Sequence, residues 1–241
     1  MAVTELVPAP PAPRASPLCR HLVPGLIGLG SALLVAGSAS GVVALRLDEV
    51  LGFVTGAACV WLTVKQNIWS FPIGIANNLF YVVLFLAARL YADTSLQLVY
   101  IALGALGWYW WLRGGANRTR LTVTRTPARA ALGLASGLVA VTTALTALLA
   151  AVDDAAPFLD ALTTTASLVA QLMLSRKWLE NWLVWMATDV VYVYLYAARG
   201  LYLTALLYAL FFVLCVAGLR QWWRALAPAR PAALVEGASR G

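Results

Sequence analysis

The chain has 241 residues, 62% hydrophobic and only 11% charged, with a formal net charge of +7. Soluble domains carry roughly 25% charged residues, so this composition excludes an ordinary globular enzyme and indicates an integral membrane protein. The positive charge does not mark a nucleic-acid binder: the basic residues are spread over many short loops, with no basic module interleaved with aromatics.

In chain order, residues 1–21 are rich in Ala and Pro and read as a disordered cytoplasmic tail. An apolar run from Leu22 to Leu45 follows and predicts an extra N-terminal transmembrane helix. Its small-residue end has the look of a signal-peptidase site, but a retained helix fits the charge pattern better. Further spans are expected at Val50 to Val64, Ser70 to Ala88, Ser95 to Leu112, Ala130 to Val152, Pro157 to Leu174, Trp178 to Ala198 and Leu201 to Trp222. Charges and helix breakers separate them, and residues 224–241 form a second cytoplasmic tail.

Charge placement tests this map, since a missed helix would invert every later loop. With both termini in the cytoplasm of a bacterial inner-membrane protein, 14 of the 17 Lys and Arg residues fall inside. Arg46, Arg89 and Arg199 remain outside, with most of the acids. Cys19, Cys59 and Cys215 are too scattered for a disulfide or a metal cluster, and no metal or cofactor is expected.

The chain also resembles itself at a separation of 111 residues. Lys65 corresponds to Arg176, Asn78 to Asp189, Tyr81 to Tyr192, Tyr91 to Tyr202, Gly107 to Gly218 and Trp111 to Trp222. Residues 50–112 are then one three-helix repeat, 157–223 the other, and 130–152 a connecting helix without charge or aromatic residues. An odd connector gives both repeats the same orientation, the parallel arrangement of some transporters with a midplane site between repeats. The expected fold is therefore an all-α polytopic membrane protein, a 3+1+3 seven-helix core plus one extra N-terminal helix.

The second helix of each repeat holds polar residues at mid-membrane depth. Asp189 lies in ENWLVWMATDVVYVY, and Asn77 and Asn78 lie in SFPIGIANNLFYVVLF. A carboxylate at a helix centre costs about 2.5 to 3.5 kcal/mol to insert, so Asp189 should face a cavity or a partner. At about 100° per residue Trp182, Trp185 and Asp189 share a face, with Tyr192 next along it. Phe71, Gly74, Asn78 and Tyr81 are their counterparts. Indole faces stack on rings and attract cations, while Asn and Asp bind hydroxyls, so the site suits a cationic heteroaromatic nucleoside. Trp182 has an alternative reading as an interfacial anchor, and Asn77 as an interhelical hydrogen-bonder. Lys65, Gln66, Asn67, Glu180 and Asn181 cluster at the cytoplasmic mouth, where they form either a gate or helix caps, with Glu180 paired to Arg176 or Lys177.

These segments resemble the nicotinamide riboside transporters of the PnuC type. The resemblance is carried by WSFPIGIANNLFYVVLF, LYADTSLQLVYIALGALGWYWW, RKWLENWLVWMATDV and GLYLTALLYALFFVLCVAGLRQWW, and spans about Val50 to Trp223. The family's Trp-x-x-Trp-x-x-x-Asn/Asp pattern is met by Trp182, Trp185 and Asp189. It implies a core like the full-length SWEET sugar transporters, a homotrimer in the lipid bilayer, and facilitated diffusion with phosphorylation trapping the nucleoside inside. It implies substrate contacts at Trp182, Trp185 and Asp189, to which the helical faces add Asn77, Asn78, Tyr81 and Tyr192 as candidate substrate-binding residues. Similar proteins carry thiamine or riboflavin, and the Asp at position 189 favours a cationic cargo. An intramembrane enzyme is disfavoured because no second midplane acid, Gly-x-Ser-x-Gly or His-Glu-x-x-His accompanies Asp189. A non-transporting scaffold would have no need of polar groups at both midplane positions.

Overall fold

The computed structural model describes residues 47–153, 155–200 and 202–226. The tail at 1–21, the expected helix at 22–45 and most of the C-terminal tail lie outside them. Seven α-helices are present among the described residues: α1 (Leu47–Val64), α2 (Ser70–Ala87), α3 (Tyr91–Arg113), α4 (Ala128–Ala151), α5 (Pro157–Ser175), α6 (Asn181–Ala198) and α7 (Tyr202–Arg224). No β-strand occurs among these residues, only an isolated bridge between Thr124 and Trp178. Four segments, α2, α4, α5 and Thr204–Arg224 of α7, are long and apolar enough to cross a membrane by length and composition.

The breaks between helices have a common chemistry. After α1, α2 and α5 the chain enters the left-handed region at Gln66 (φ 54), Arg89 (φ 59) and Lys177 (φ 58). In each case the next residue reaches back five positions: Asn67 N–H to Leu62, Leu90 N–H to Phe85, and Trp178 N–H to Met173, at 2.8 to 3.0 Å. These are Schellman caps, which satisfy carbonyls the helix leaves open. The cap after α6 uses Gly200 (φ 74), where glycine carries no Cβ penalty.

Several helix starts differ from expectation, and two of the differences have a visible cause. The third helix begins at Tyr91 rather than Ser95, because the Thr94 and Ser95 hydroxyls bond back to the carbonyls of Leu90 and Tyr91 and extend the helical turn. The helix expected from Trp178 begins at Asn181, since the turn before it is engaged elsewhere: Thr124 N–H donates to the Lys177 carbonyl and Leu179 N–H to the Thr124 carbonyl.

Helices α1, α2, α3, α5, α6 and α7 pack each on the next, and α7 closes back on α1, giving a ring of six; α4 packs against α5 outside it. One end of the ring, which carries Lys65, Arg113 and Arg176, holds the hydrophobic core, where Trp111, Trp182, Trp222, Leu179 and Leu214 are buried. The α3–α4 linker lies across this basic end and inserts Val123, 1% exposed, into the same cluster.

Packing at this end recurs at the 111-residue separation. Phe71 meets Trp111 edge to face at 5.0 Å, and Trp182 meets Trp222 edge to face at 5.3 Å. A Cβ added at Gly107 would lie 2.6 Å from the Phe71 ring, and one at Gly218 would lie 2.6 Å from the Trp182 indole. Both glycines are required by the ring that presses on them.

Candidate functional site

A cavity of about 580 Å³ runs through the centre of the ring, and its lining comes from all six ring helices and none of α4. Asn77, Asn78 and Tyr81 reach it from α2, and Trp182, Trp185, Asp189 and Tyr192 from α6. The two helical stripes predicted from the sequence are thus brought to one space.

Asp189 is 5% exposed, and the Cys215 thiol of α7 donates to its Oδ2 at 3.6 Å. Asn77 donates its Nδ2 to the Thr55 hydroxyl of α1 at 2.6 Å, so it ties two helices together while also lining the cavity. Trp182 is 1% exposed and packed on Gly218 and Trp222, which rules out the interfacial-anchor alternative. Its Nε1 has no hydrogen-bond partner among the described residues. Gly74 brings α2 close to α1, because a Cβ there would be 3.1 Å from the Cys59 sulfur.

The far half of the cavity is aromatic. Tyr192, Tyr196 and Tyr208 stack on one another with centroid separations of 4.5 to 6.0 Å, and Phe211 continues the surface. Tyr81 and Phe85 stack at 5.5 Å and 29°, much as Tyr192 and Tyr196 do at 6.0 Å and 27°. Such faces hold planar rings and cations.

The five residues expected at the mouth do not line the cavity. Lys65 lies over the Trp61 ring at 4.5 Å, Gln66 forms the left-handed cap, and Asn67 Oδ1 accepts from Trp69 N–H. Asn181 is fully buried and donates to the Trp178 carbonyl at 2.6 Å. Glu180 pairs with neither Arg176 nor Lys177. Its Oε2 accepts from both the N–H and the hydroxyl of Thr126, and Arg125 stands 3.8 Å from Oε1. Burial opposes ionisation of Glu180, but the Thr126 bonds and Arg125 outweigh it and hold the carboxyl below its usual range. Arg176 instead lies 3.7 Å above the Trp110 ring.

Several lining residues escaped the sequence reading: Gln97, Tyr100, Ser167, Gln171, Tyr208 and Phe211. They lie on the first and third helices of each group, and the reading followed only the second. The 111-residue separation places Gln97 against Tyr208 and Tyr100 against Phe211, but the members of each pair differ in residue type, so matching like residues gave no sign of them. Among the described residues no group of three or more His, Cys, Asp or Glu is placed to hold a metal ion.

A ring of apolar helices around an internal polar and aromatic cavity is the build of a membrane carrier for a small solute. The family model described as "Nicotinamide mononucleotide transporter" matches residues 47–224, and the chain belongs to this transporter family, not to a family of enzymes. The nicotinamide riboside transporter PnuC of Escherichia coli is 28% identical over 200 residues, covering 72% of this chain and 84% of that protein. The riboflavin/roseoflavin transporter RibM of Streptomyces davaonensis is 29% identical over 200 residues, covering 79% and 91%. The crystal structure of the vitamin B3 transporter PnuC has the same fold, with a TM-score of 0.65 at 20% identity over 88% of this chain and 93% of that one.

Proposed function

We propose that the protein carries nicotinamide riboside across the bacterial inner membrane by facilitated diffusion, with phosphorylation inside the cell trapping the cargo. The observation that carries this reading is that Asn78 and Asp189, on α2 and α6, line one cavity together with Trp185, Tyr81 and Tyr192. A pyridinium ring is both flat and cationic. Tryptophan and tyrosine faces attract it, the Asp189 carboxylate offsets its charge, and Asn78 offers donor and acceptor to the ribose.

The 3+1+3 parallel repeat belongs to the same reading. The paired contacts at the 111-residue separation support it, as do the ring order and the place of α4 outside the ring. The excess of Lys and Arg at the basic end supports its placement in the cytoplasm.

Labelled nicotinamide riboside should enter proteoliposomes down its gradient without ATP, and uptake no greater than in empty vesicles would sink the proposal. A second reading, riboflavin, is favoured by the similarity to RibM over more of the chain than is matched to the E. coli PnuC. Competition by unlabelled riboflavin and thiamine in the same vesicles ranks the cargoes.

A further inference from the structure

The two seams of the ring present different chemistry to the cavity. Where α7 meets α1, the lining includes Gly56, Val60, Phe211 and Tyr208, alongside Cys59, Thr63 and Cys215. Where α3 meets α5, the residues at the corresponding positions are Ser167, Gln171, Tyr100 and Gln97, all polar. Each pair is separated by 111 residues, and at these positions the α3–α5 side carries two amides and two hydroxyls where the α7–α1 side carries one hydroxyl.

Tyr100 and Ser167 bring two hydroxyls to the polar seam. The Oε1 of Gln97 is buried and has no hydrogen-bond partner among the described residues. A buried acceptor left without a donor costs about 1 to 3 kcal/mol, so this atom is placed to accept from a donor that enters the cavity. Gln171, partly buried one turn from Ser167, adds a second amide with both donor and acceptor capacity. The opposite wall has less to offer a hydroxyl at these four positions, because Gly56, Val60 and Phe211 have no polar side-chain atoms and only the Tyr208 phenol is polar.

We propose that the α3–α5 seam reads the hydroxyl-bearing half of the substrate and so fixes its orientation, with the sugar or polyol toward Gln97 and Gln171 and the ring toward Phe211 and Tyr208. The proposal rests on the transport reading above and deepens it. Asp189 and Trp185 then recognise the ring and its charge, while the seam excludes bare bases that lack the hydroxyls. A site built to hydrogen-bond a hydroxyl rejects the analogue lacking it, because its own polar groups are left unpaired.

The test compares two matched pairs of ligands, nicotinamide riboside against 1-methylnicotinamide, which keeps the pyridinium charge without the sugar, and riboflavin against lumiflavin, with binding read by tryptophan fluorescence quenching of the purified protein. Gln97→Leu and Gln171→Leu keep side-chain volume and every tryptophan. Each is expected to weaken the hydroxylated member of the bound pair by about tenfold and the bare ring by less than about twofold. Retained binding of the bare ring shows that the variant is folded. Phe211→Ala should weaken both members alike. Equal losses for both members in the Gln variants, or no loss for either, overturn the assignment of the seam and leave the transport reading standing. Failure of the unsubstituted protein to bind any of the four compounds overturns both.

Discussion

Trp111 and Trp222 face each other across the basic end with ring centroids 5.7 Å apart, and each reaches into the other three-helix group. The Trp111 indole N–H donates to the Leu174 carbonyl of α5 at 3.1 Å, and the Trp222 indole N–H to the Thr63 carbonyl of α1 at 3.2 Å. Thr63 and Leu174 are themselves 111 residues apart. Both carbonyls also accept the N–H of the left-handed residue that follows, Gln66 and Lys177, at 2.9 Å. The last helix of each group is thus hooked onto the first helix of the other. Trp222→Phe keeps most of the ring and removes one bond, without leaving Thr63 O unpartnered. It should cost about 1 kcal/mol of stability, and Trp111→Phe about the same. Because the rings touch, the double substitution should depart from additivity. Thermal unfolding in detergent measures this, and unchanged transitions in both single variants would show that the bonds contribute nothing.

Gly218→Ala should disturb the site through Trp182. The added Cβ would lie 2.6 Å from three carbons of an indole that is 1% exposed and held on its other side by Trp222, so the ring has no free space into which to move. Overpacking of this kind costs about 1 to 3 kcal/mol. The lining position of Trp182 means that ligand affinity should fall along with the melting temperature. Gly137→Ala on α4 is the control, since nothing lies within 4 Å of its added Cβ. It should leave both measurements unchanged or raise stability slightly. If Gly218→Ala binds ligand as the unsubstituted protein does, Trp182 does not transmit the strain.

What was legible in the sequence followed from periodicity. The apolar runs predicted the helices because a bilayer demands about 20 apolar residues per span, and Asp189, Trp185 and Trp182 fell on one face because a helix repeats every 3.6 residues. Asn78 and Asp189 were linked by the 111-residue separation at which the sequence resembles itself, which needs only counting. The mouth residues were another matter. Gln66 and Lys177 are set by left-handed caps that a charged or amide side chain gives no sign of, and Glu180 is claimed by Thr126, 54 positions earlier in a linker with no periodic pattern. A segment such as Leu121–Thr126, which packs through one buried valine and a few backbone bonds, leaves no signal in hydropathy.

Lys177 gives the alkaline limb of the pH dependence. It is 7% exposed, with its Nζ bonded to the Leu121 carbonyl at 2.9 Å and 4.4 Å from the centre of the Trp111 ring. Burial, with Arg120 nearby, pushes the ammonium down to about 8. Between about 8 and 10.5 the unfolded chain therefore holds a proton that the folded one has released, and stability rises with pH across that window. Lys177→Met should flatten this rise. A melting temperature with the same slope from pH 8 to 10.5 in both proteins would assign the effect elsewhere.

Glu180 gives the acid limb, where stability again rises with pH. Its folded-state pKa lies below the usual value of 4.5, so its contribution is present above that value and is lost as pH falls through the folded pKa. Glu180→Gln should lower stability at pH 7 by weakening the Thr126 bonds and the Arg125 pair. The gap to the unsubstituted protein should close as pH falls below about 4.5. A gap that stays constant down to pH 3 would mean that the charge of Glu180 has no part in holding the linker.

Asp189→Asn separates charge from hydrogen bonding in the cavity. The amide keeps the size of the side chain and an oxygen to accept from the Cys215 thiol, but removes the negative charge at the place where a cationic ring would lie. Removing a charge at close range from a cationic ligand in a partly desolvated site should weaken nicotinamide riboside by about tenfold, or about 1.4 kcal/mol. Riboflavin has no charge to lose there, so its affinity should change by less than about twofold. Fluorescence titration of the two ligands against both proteins gives the four constants. If nicotinamide riboside binds Asp189→Asn as tightly as the unsubstituted protein, the carboxylate is not its counter-ion. A gain for riboflavin in the variant would then show that Asp189 disfavours a neutral cargo by the desolvation it imposes.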